Sequence, residues 1–411
     1  MKRENVWSKD FTLITIGTVI SAIAWQTINL PLSLTVFDET GSTFLSAILF
    51  IASLAPSVVL PILIAPLIDR NPKKIIIVGL DYLTGFMYLL IALVVSITGF
   101  NYYLYLFFSL IMGIIGTVYQ LAYQAWFPDL IPLGFEQQGF AVSSSIYPSV
   151  MVVMSPVAAY LYRTFSLSIL FIVVGILTII AASFELLISN IHNGSQDEEF
   201  DFKQYKADLL GGFTYLKKEK GIRNIYGYMS ITNGVANGIS LMVQAYFQTV
   251  SFLSVTMLAF IMSAETAGRI IGGLIQYKIN IPAEKRFGIT RFVYIFYESM
   301  ELILLFIPYP LMIINRFFCG LLGMTSATLR EASVQSYLPA HMRAKVNAVF
   351  NVTISISVIG FQMLAGFLGD LMGYRMVVVI LSCIGLVAIF ILIILPAEEN
   401  RKVYDTTRLS V

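Results

Sequence analysis

The stretch 113–141, GIIGTVYQLAYQAWFPDLIPLGFEQQGFA, has a partial copy 207 residues later at 320–348, GLLGMTSATLREASVQSYLPAHMRAKVNA. The shared positions include Gly113 and Gly320, Gly116 and Gly323, Pro132 and Pro339, and Ala141 and Ala348. At the same offset, Ala65–Asp69 falls on Gly272–Gln276. Because one offset holds across four helix-length segments without a gap, the sequence indicates two similar halves.

The composition is that of a membrane protein. Of 411 residues, 57% are hydrophobic and 12% charged, and the mean hydropathy is +0.81. A soluble domain carries about 25% charged residues, so lipid must be the solvent for this chain. An apolar chain of two similar halves is the usual plan of a secondary transporter, with its substrate site where the halves meet near the bilayer midplane.

Twelve apolar segments are long enough for membrane-spanning helices, which need about 20 residues. We number them spans 1 to 12: 11–36, 43–68, 74–98, 102–126, 138–162, 167–190, 222–249, 253–277, 287–307, 310–331, 344–369 and 373–396. Lys and Arg concentrate in alternate short loops, which predicts that both termini are cytoplasmic. The start MKRENVWSKD lacks the pattern of a removable signal peptide, so we expect a multi-pass protein of the bacterial inner or plasma membrane.

One long polar stretch, 191–221, separates the halves. Within it Leu209, Leu210, Phe213 and Leu216 recur at helical spacing with lysines between them. This pattern predicts an amphipathic cytoplasmic helix along the membrane surface. The predicted domains are therefore a six-helix bundle at 1–190, the linker at 191–221 and a second six-helix bundle at 222–411.

Between spans 2 and 3 stands the loop Ala65-Pro-Leu-Ile-Asp69-Arg70-Asn-Pro-Lys73-Lys74. It resembles the loop signature G-x-x-x-D-R-x-G-R-R of the major facilitator superfamily, with Ala65 in place of the first glycine. The resemblance implies an all-α fold of two six-helix bundles that works by alternating access. It also implies that Asp69 accepts hydrogen bonds at the start of span 11 while Arg70, Lys73 and Lys74 hold the loop in the cytoplasm. The alternative is a plain positive-inside loop.

A second resemblance narrows the branch of the superfamily. The stretch Ala122-Tyr-Gln-Ala-Trp-Phe-Pro128-Asp-Leu-Ile-Pro132, with Glu136 and Ala141 after it, is similar to the macrolide-efflux and siderophore-exporter branch. The sequence departs from drug exporters at two places. In span 4, Ser109 stands where many of them have an arginine, and in span 5 the antiporter signature is reduced to Ser155-Pro156. These departures bear on the identity of the substrate more than on the fold.

Ionisable side chains at membrane depth are functional candidates because their burial is costly. The second half holds five such residues at membrane depth, three acids and two bases, in spans 8 to 10: Glu265, Glu298, Glu301, Arg269 and Arg316. The depth of each residue in the membrane follows from its distance from the helix end, at about 1.5 Å per residue. Residues at similar depth can pair, which predicts the pairs Glu301–Arg316 and Glu265–Arg269. One acid, Glu265 or Glu298, is then left without its own cation and can carry a proton. The alternative is an ion-pair network that only fixes helix packing.

We expect Glu265 to be the proton-coupling group, with Arg269 tuning it and Glu298 as the other candidate. In the first half, Asp81 in span 3 and Glu185 near the end of span 6 are the acids at membrane depth. We interpret Asp81 as a support for the gating loop.

Amide and aromatic side chains on the spans that line the cavity in this superfamily suit a largely apolar ligand with a few polar anchors. The predicted substrate-binding residues are Trp25, Gln26, Asn29, Gln120, Tyr123, Asn233, Asn237, Arg316 and Asn351. At the 207-residue offset Gln26 meets Asn233, so a polar position recurs in spans 1 and 7. Each amide could instead serve as hydrogen-bond glue between helices.

The function predicted from these features is proton-coupled export of amphipathic, macrolide-like drugs or metabolites. No ATP-binding P-loop, catalytic triad or metal-ligand cluster occurs in the sequence, so we expect no enzyme activity and no cofactor. The expected partners are a small amphipathic substrate, protons and the lipid bilayer, without nucleic acid, for a protein that acts as a monomer. The alternatives are a transporter of lysophospholipid or another dedicated metabolite, and a non-transporting receptor or scaffold.

Overall fold

The computed structural model describes residues 6–58, 60, 61, 64, 68, 71–189, 202–279 and 281–405. This part of the chain is helical, and strands are absent from it. The chain divides into two compact units. The first comprises Met1–Gly41 and Ile48–Asp201, and the second comprises Ser42–Ala47 and Phe202–Val411.

The first unit contains the helices α1 Lys9–Thr40, most of α2 Thr43–Leu54, α3 Lys73–Thr98, α4 Tyr102–Trp126, α5 Glu136–Thr164 and α6 Leu167–Leu186. Local chemistry explains the ends of α1. The Ser8 hydroxyl accepts a hydrogen bond from the Phe11 amide at 3.1 Å, which caps the N-terminus. Gly41 then adopts a left-handed conformation with φ of 65° and donates its amide to the Phe37 carbonyl, which ends the helix.

The second unit contains the helices α7 Phe202–Lys218, α8 Lys220–Thr249, α9 Val255–Lys278, α10 Ala283–Ile303, α11 Tyr309–Tyr337, α12 Ala340–Leu371, α13 Tyr374–Ile389 and α14 Ala397–Asp405. A π-helical turn, Phe390–Ile394, extends α13. The helix α7 lies within the predicted linker 191–221 and packs on α12. A Cβ atom on Gly212 would lie 2.7 Å from the Lys345 carbonyl oxygen, so a glycine allows this close approach.

The helices correspond to the twelve predicted spans. Within the described residues, nine helices are long and apolar enough to cross a membrane, and the segment Thr43–Val58 is a shorter apolar helix. The remaining two spans are α8, with 30 residues, and α10, with 21, which carry more polar side chains. The prediction of an all-α fold with twelve spans and a linker helix is confirmed, whereas the orientation of the termini stays a prediction.

The sequence repeat has a structural counterpart in two helix crossings. A Cβ atom on Gly320 of α11 would lie 1.9 Å from the backbone oxygen of Glu265 in α9. A Cβ atom on Gly113 of α4 would lie 2.3 Å from the backbone oxygen of Ser53 in α2. Each unit therefore uses a glycine at the same repeat position to bring two helices into backbone contact, as small residues do in membrane bundles.

Candidate functional site

A cluster of buried charges joins α9, α10 and α11 in the second unit. The Arg316 guanidinium donates two hydrogen bonds to Glu301, at 2.7 Å to Oε1 and 2.6 Å to Oε2. The Arg316 side chain is 10% exposed and that of Glu301 is 2% exposed. Two parallel hydrogen bonds between ionised groups are among the strongest polar contacts in proteins, so this pair holds α10 against α11.

The carboxylate of Glu265 lies between two cations. Its Oε1 accepts a hydrogen bond from Arg269 Nη2 at 2.6 Å, one turn along α9. Its Oε2 lies 3.6 Å from Arg316 Nη1. The predicted pairs Glu301–Arg316 and Glu265–Arg269 are both present, and Glu265 additionally shares Arg316 with Glu301. Glu265 is therefore a well-compensated acid.

Glu298 of α10 has a different environment. It is fully buried, and its Oε1 accepts a hydrogen bond from the Thr232 hydroxyl of α8 at 2.6 Å. Its Oε2 has no hydrogen-bond partner, and among the described residues no cation lies within 4.0 Å of the carboxyl group. A Cβ atom on Gly385 of α13 would lie 2.3 Å from Oε2. Of the two candidates for an acid without a cation, the structure leaves Glu298 unpaired and pairs Glu265.

A cavity of about 380 Å³ lies beside this cluster, within the second unit. Its wall combines aromatic rings, amides, small residues and two arginines from α8, α9, α10 and α11. The lining residues are Tyr228, Met229, Thr232, Asn233, Ala236, Asn237, Arg269, Val293, Tyr294, Tyr297, Cys319, Gly323, Met324, Ser326, Ala327 and Arg330. Thr232 lines the cavity and also donates to Glu298, so it connects the buried acid to the cavity wall.

The predicted site residues of the second half are only partly brought together. Asn233, Asn237 and Arg269 line the cavity. Asn233 donates to the Met229 carbonyl at 2.7 Å and Asn237 to the Asn233 carbonyl at 2.9 Å, and each amide keeps further hydrogen-bonding capacity. Arg316, which we predicted to bind substrate, is instead bonded to Glu301 and does not line the cavity. Asn351 of α12 is exposed outside it.

In the first unit, the predicted substrate residues divide into exposed and buried ones. Trp25, Asn29 and Gln120 are exposed. Gln26 is buried and donates its amide to the Ser155 hydroxyl at 3.0 Å, a contact that packs α1 against α5. The Tyr123 hydroxyl lies 3.2 Å from that of Thr18. Their roles in binding stay predictions.

The gating prediction falls partly outside the described residues, because these do not include Asp69 and Arg70. Lys74 donates to the Ile188 carbonyl at 2.6 Å, so it holds the start of α3 to the end of α6. Lys73 is the first residue of α3. Two further acids, Asp81 of α3 and Glu185 of α6, are buried and interact with each other electrostatically.

The Tyr119 hydroxyl donates a hydrogen bond to Glu185 Oε1, at 3.4 Å. Since Asp81 contacts Glu185 at membrane depth, the structure places it in a buried acid pair near the predicted gating loop.

The sequence interpretation placed Tyr228 on a cavity-lining span but missed Arg330 and the other two tyrosines of the cavity, Tyr294 and Tyr297. Arg330 lies 14 residues after Arg316, four turns of α11 further along and close to the predicted end of span 10. The signal that could have found it is the helical spacing with Gly323 and Ser326, which lie on the same face and also line the cavity.

The two helical units with their spans, buried charges and a lined cavity define a polytopic membrane transporter. The Major Facilitator Superfamily matches residues 14–297 and 283–408, and the chain belongs to this family. This match confirms the family that the loop motif resembles. The protein is therefore a transporter embedded in a membrane, and a small molecule is its expected cargo.

Known proteins similar to the chain differ in what they carry. Macrolide efflux protein A of Streptococcus pyogenes is 22% identical over 281 residues, which cover 67% of this chain and 68% of that protein. The crystal structure of nucleoside transporter NupG has a TM-score of 0.69 at 13% identity, covering 93% of this chain and 98% of that one. A bacterial homolog to human lysosomal transporter Spinster, inward-facing and unoccupied, has a TM-score of 0.64 at 13% identity, covering 96% of both chains. At these identities the solved structures support the fold alone.

Proposed function

We propose that the protein is a proton-coupled exporter of amphipathic small molecules that works by alternating access. The observation that carries this proposal is the contact between Glu298 and Thr232, which joins an acid without a cation to the wall of a cavity. Macrolide-like drugs and metabolites combine a large apolar body with a few polar groups. The tyrosines, methionines and amides of the cavity suit that combination.

We assign the coupling proton to Glu298 in preference to Glu265. Glu265 has two arginines within 4.0 Å, and these favour its ionised form at all times. Glu298 accepts a hydrogen bond from a hydroxyl and has no cation within 4.0 Å among the residues that the structure describes, so binding and release of one proton changes the charge beside the cavity. The pair Glu265–Arg269 then holds one cavity-lining arginine in place rather than carrying the proton.

Export through this cavity has support from the distant similarity to Macrolide efflux protein A. A lipid-type substrate would use the same apolar walls. A receptor or scaffold role would leave no reason for an unpaired acid beside a cavity, because burial of such a group costs stability. These alternatives differ in whether substrate movement is coupled to protons.

The test is substrate-driven proton flux in proteoliposomes that contain a pH-sensitive dye. The panel includes a macrolide together with cationic, neutral and anionic amphipaths. We expect at least one compound to move protons with the wild-type protein. Glu298→Gln should abolish the flux. Glu265→Gln should only reduce it, because Arg269 then loses the partner that holds it in the cavity wall. Glu284→Gln, at an exposed acid of α10, is the control and should leave the flux unchanged.

Two outcomes would contradict the proposal at different levels. If Glu298→Gln keeps full flux while Glu265→Gln abolishes it, the proton belongs to Glu265, as the sequence alone predicted. If no amphipath on the panel moves protons in wild-type vesicles, proton-coupled export is wrong.

A further inference from the structure

We propose that the cavity of the second unit binds an anionic group of its amphipathic substrate, with Arg330 as the main anchor and Arg269 as a second cation. The inference rests on the proposed function because it takes this cavity as a substrate site. It narrows the substrate to compounds that join a carboxylate or phosphate group to an apolar body. It disfavours compounds whose only charge is a basic amine, as in the common macrolides, so within the proposed class it favours anionic metabolites over macrolide drugs.

The charges of the cavity wall all have one sign. Among the described residues that line it, Arg269 and Arg330 are the charged ones, and none is an aspartate or glutamate. Arg269 is partly compensated through its hydrogen bond to Glu265. Its side chain is 59% exposed, so much of its donor surface stays available to a ligand. Clefts lined by charge of one sign concentrate ligands of the opposite sign.

Arg330 is the cation without a counterion. No carboxylate of the described residues lies within 4.0 Å of its guanidinium. Its Nε is buried without a hydrogen-bond acceptor, and Nη1 is 3.1 Å from the sulfur of Met229, a weak acceptor. Its other polar neighbours are the neutral hydroxyls of Tyr294 and Tyr404 and the carboxylate of Glu331, which is too far away for a salt bridge. The adjacent Glu331 accepts a hydrogen bond from Gln335 at 2.9 Å instead.

An unpaired cation that is partly removed from water costs free energy until an anion joins it. The guanidinium is planar and has five N–H donors, which match a carboxylate or phosphate group. A bound anion would therefore use donors that the protein itself leaves without a charged acceptor. This gives the ligand a reason to place its charged end at Arg330.

The rest of the cavity fits an apolar body attached to that anion. From Arg330 to Cys319, the wall along α11 extends eleven residues, or roughly 16 Å. Tyr294, Tyr297 and Met324 are among the apolar side chains beside it. The repeat does not require the cation, since position 123 in the first half, which corresponds to Arg330, is a tyrosine. The arginine is thus a feature of this cavity and not of the shared helix pattern.

The experiment measures binding of two matched fluorescent probes to the full-length protein in nanodiscs. One probe is a dansyl-labelled undecanoic acid, and the other is its neutral methyl amide. We expect the acid to bind at least ten-fold more tightly than the amide. Arg330→Gln should bring the dissociation constant of the acid to that of the amide and leave the amide unchanged. Arg330→Lys should retain part of the preference.

The matched control is Arg223→Gln, at an exposed arginine of α8 outside the cavity, which should keep the full preference. Arg269→Gln should weaken acid binding less than Arg330→Gln does. Equal binding of acid and amide to the wild type would overturn the proposal. So would a loss of both probes together in Arg330→Gln, because this would mean that Arg330 only supports the fold.

Two competitors identify the source of the anion. A single-chain phospholipid such as lysophosphatidylglycerol represents a lipid head group, and dodecanoate represents a carboxylated metabolite. Displacement of the acid probe by either one supports the proposal and names the source, whereas displacement by neither contradicts it. Proton flux of the same variants in proteoliposomes separates the two proposals. Flux with neutral or cationic compounds and no preference for the acid refutes only the anion site, whereas acid binding through Arg330 without any flux refutes only proton-coupled export.

Discussion

Arg316 is a buried cation whose charge is balanced by two acids on neighbouring helices. Its contacts with Glu301 are short and bidentate, and its contact with Glu265 is longer, at 3.6 Å. A buried pair is not by itself strongly stabilising, because both ions lose their hydration. Removal of Glu301 is costly, however, since Arg316 then keeps only its longer contact with Glu265.

We therefore predict that Glu301→Gln lowers the free energy of unfolding by about 3 kcal/mol, the range for breaking a buried pair. Arg269→Gln, which removes a side chain that is 59% exposed, should cost less than about 1 kcal/mol. Thermal unfolding of the purified protein in detergent compares the two. The double variant Glu301→Gln with Arg316→Met should be more stable than Glu301→Gln alone. If it is less stable, the contact with Glu265 alone is enough to balance the charge of Arg316.

The sequence was enough to predict the pairs Glu301–Arg316 and Glu265–Arg269, because both depend on depth or on spacing along a helix. It could not predict the Thr232 contact that distinguishes Glu298. Depth counting gives the height of a residue in its helix, whereas a contact also requires the rotation of each helix about its axis. Tertiary packing sets that rotation. The role of Arg330 was missed for the same reason.

At the scale of elements, the start of α2 is capped by a residue from a distant helix. Asp370 of α12 accepts a hydrogen bond from the backbone amide of Thr43 at 2.6 Å, and its carboxylate also accepts from the hydroxyls of Ser42 and Thr43. The first amides of a helix need acceptors, and a carboxylate there also interacts favourably with the helix dipole. These contacts explain why Ser42–Ala47 group with the second unit.

We predict that Asp370→Ala destabilises the start of α2 by about 1 kcal/mol, the usual value of an N-cap. Asp370→Asn keeps an oxygen acceptor and should lose clearly less. Hydrogen–deuterium exchange of the peptide that contains Thr43 and Phe44 measures the effect locally, and faster exchange is expected in the alanine variant. Unchanged exchange in Asp370→Ala would show that other groups hold these amides.

Apolar length and turn residues predicted the spans themselves, and the structure places helices at each of them. The cap by Asp370 could not be predicted from the sequence, because 327 residues separate it from Thr43 and no local pattern marks either one as a partner. The cap of α1 by Ser8 is the contrasting case. There acceptor and donor are three residues apart, so the sequence around Ser8 carries the whole signal.

At the scale of the whole molecule, the repeat predicts that equivalent positions have equivalent structural roles. Gly113 and Gly320 satisfy this, since both bring a helix backbone against another one in their own unit. The charges do not follow the repeat: Glu298 and Arg316 correspond to Ile91 and Ser109 in the first half. The two units therefore share a packing scheme, while the chemistry of the candidate site belongs to the second one.

The shared packing scheme leads to a matched pair of substitutions. A methyl group at position 320 would meet the Glu265 carbonyl at 1.9 Å, and one at position 113 would meet the Ser53 carbonyl at 2.3 Å. Neither neighbour is a flexible side chain, so the helices must separate. We predict that Gly320→Ala and Gly113→Ala each cost about 2 to 3 kcal/mol, as overpacking does. Thermal unfolding in detergent measures both costs.

Gly360→Ala is the control for these two variants, because no atom lies within 4 Å of the added methyl group on this transmembrane glycine. It should leave stability unchanged or raise it by up to about 1 kcal/mol, since alanine favours the helix over glycine. Similar losses at positions 113 and 320 would mean that both units depend on the same close crossing. A loss at position 320 alone would mean that the first unit tolerates separation of α2 and α4. The two halves would then share sequence and backbone path, but only the second would need the close helix crossing at this glycine.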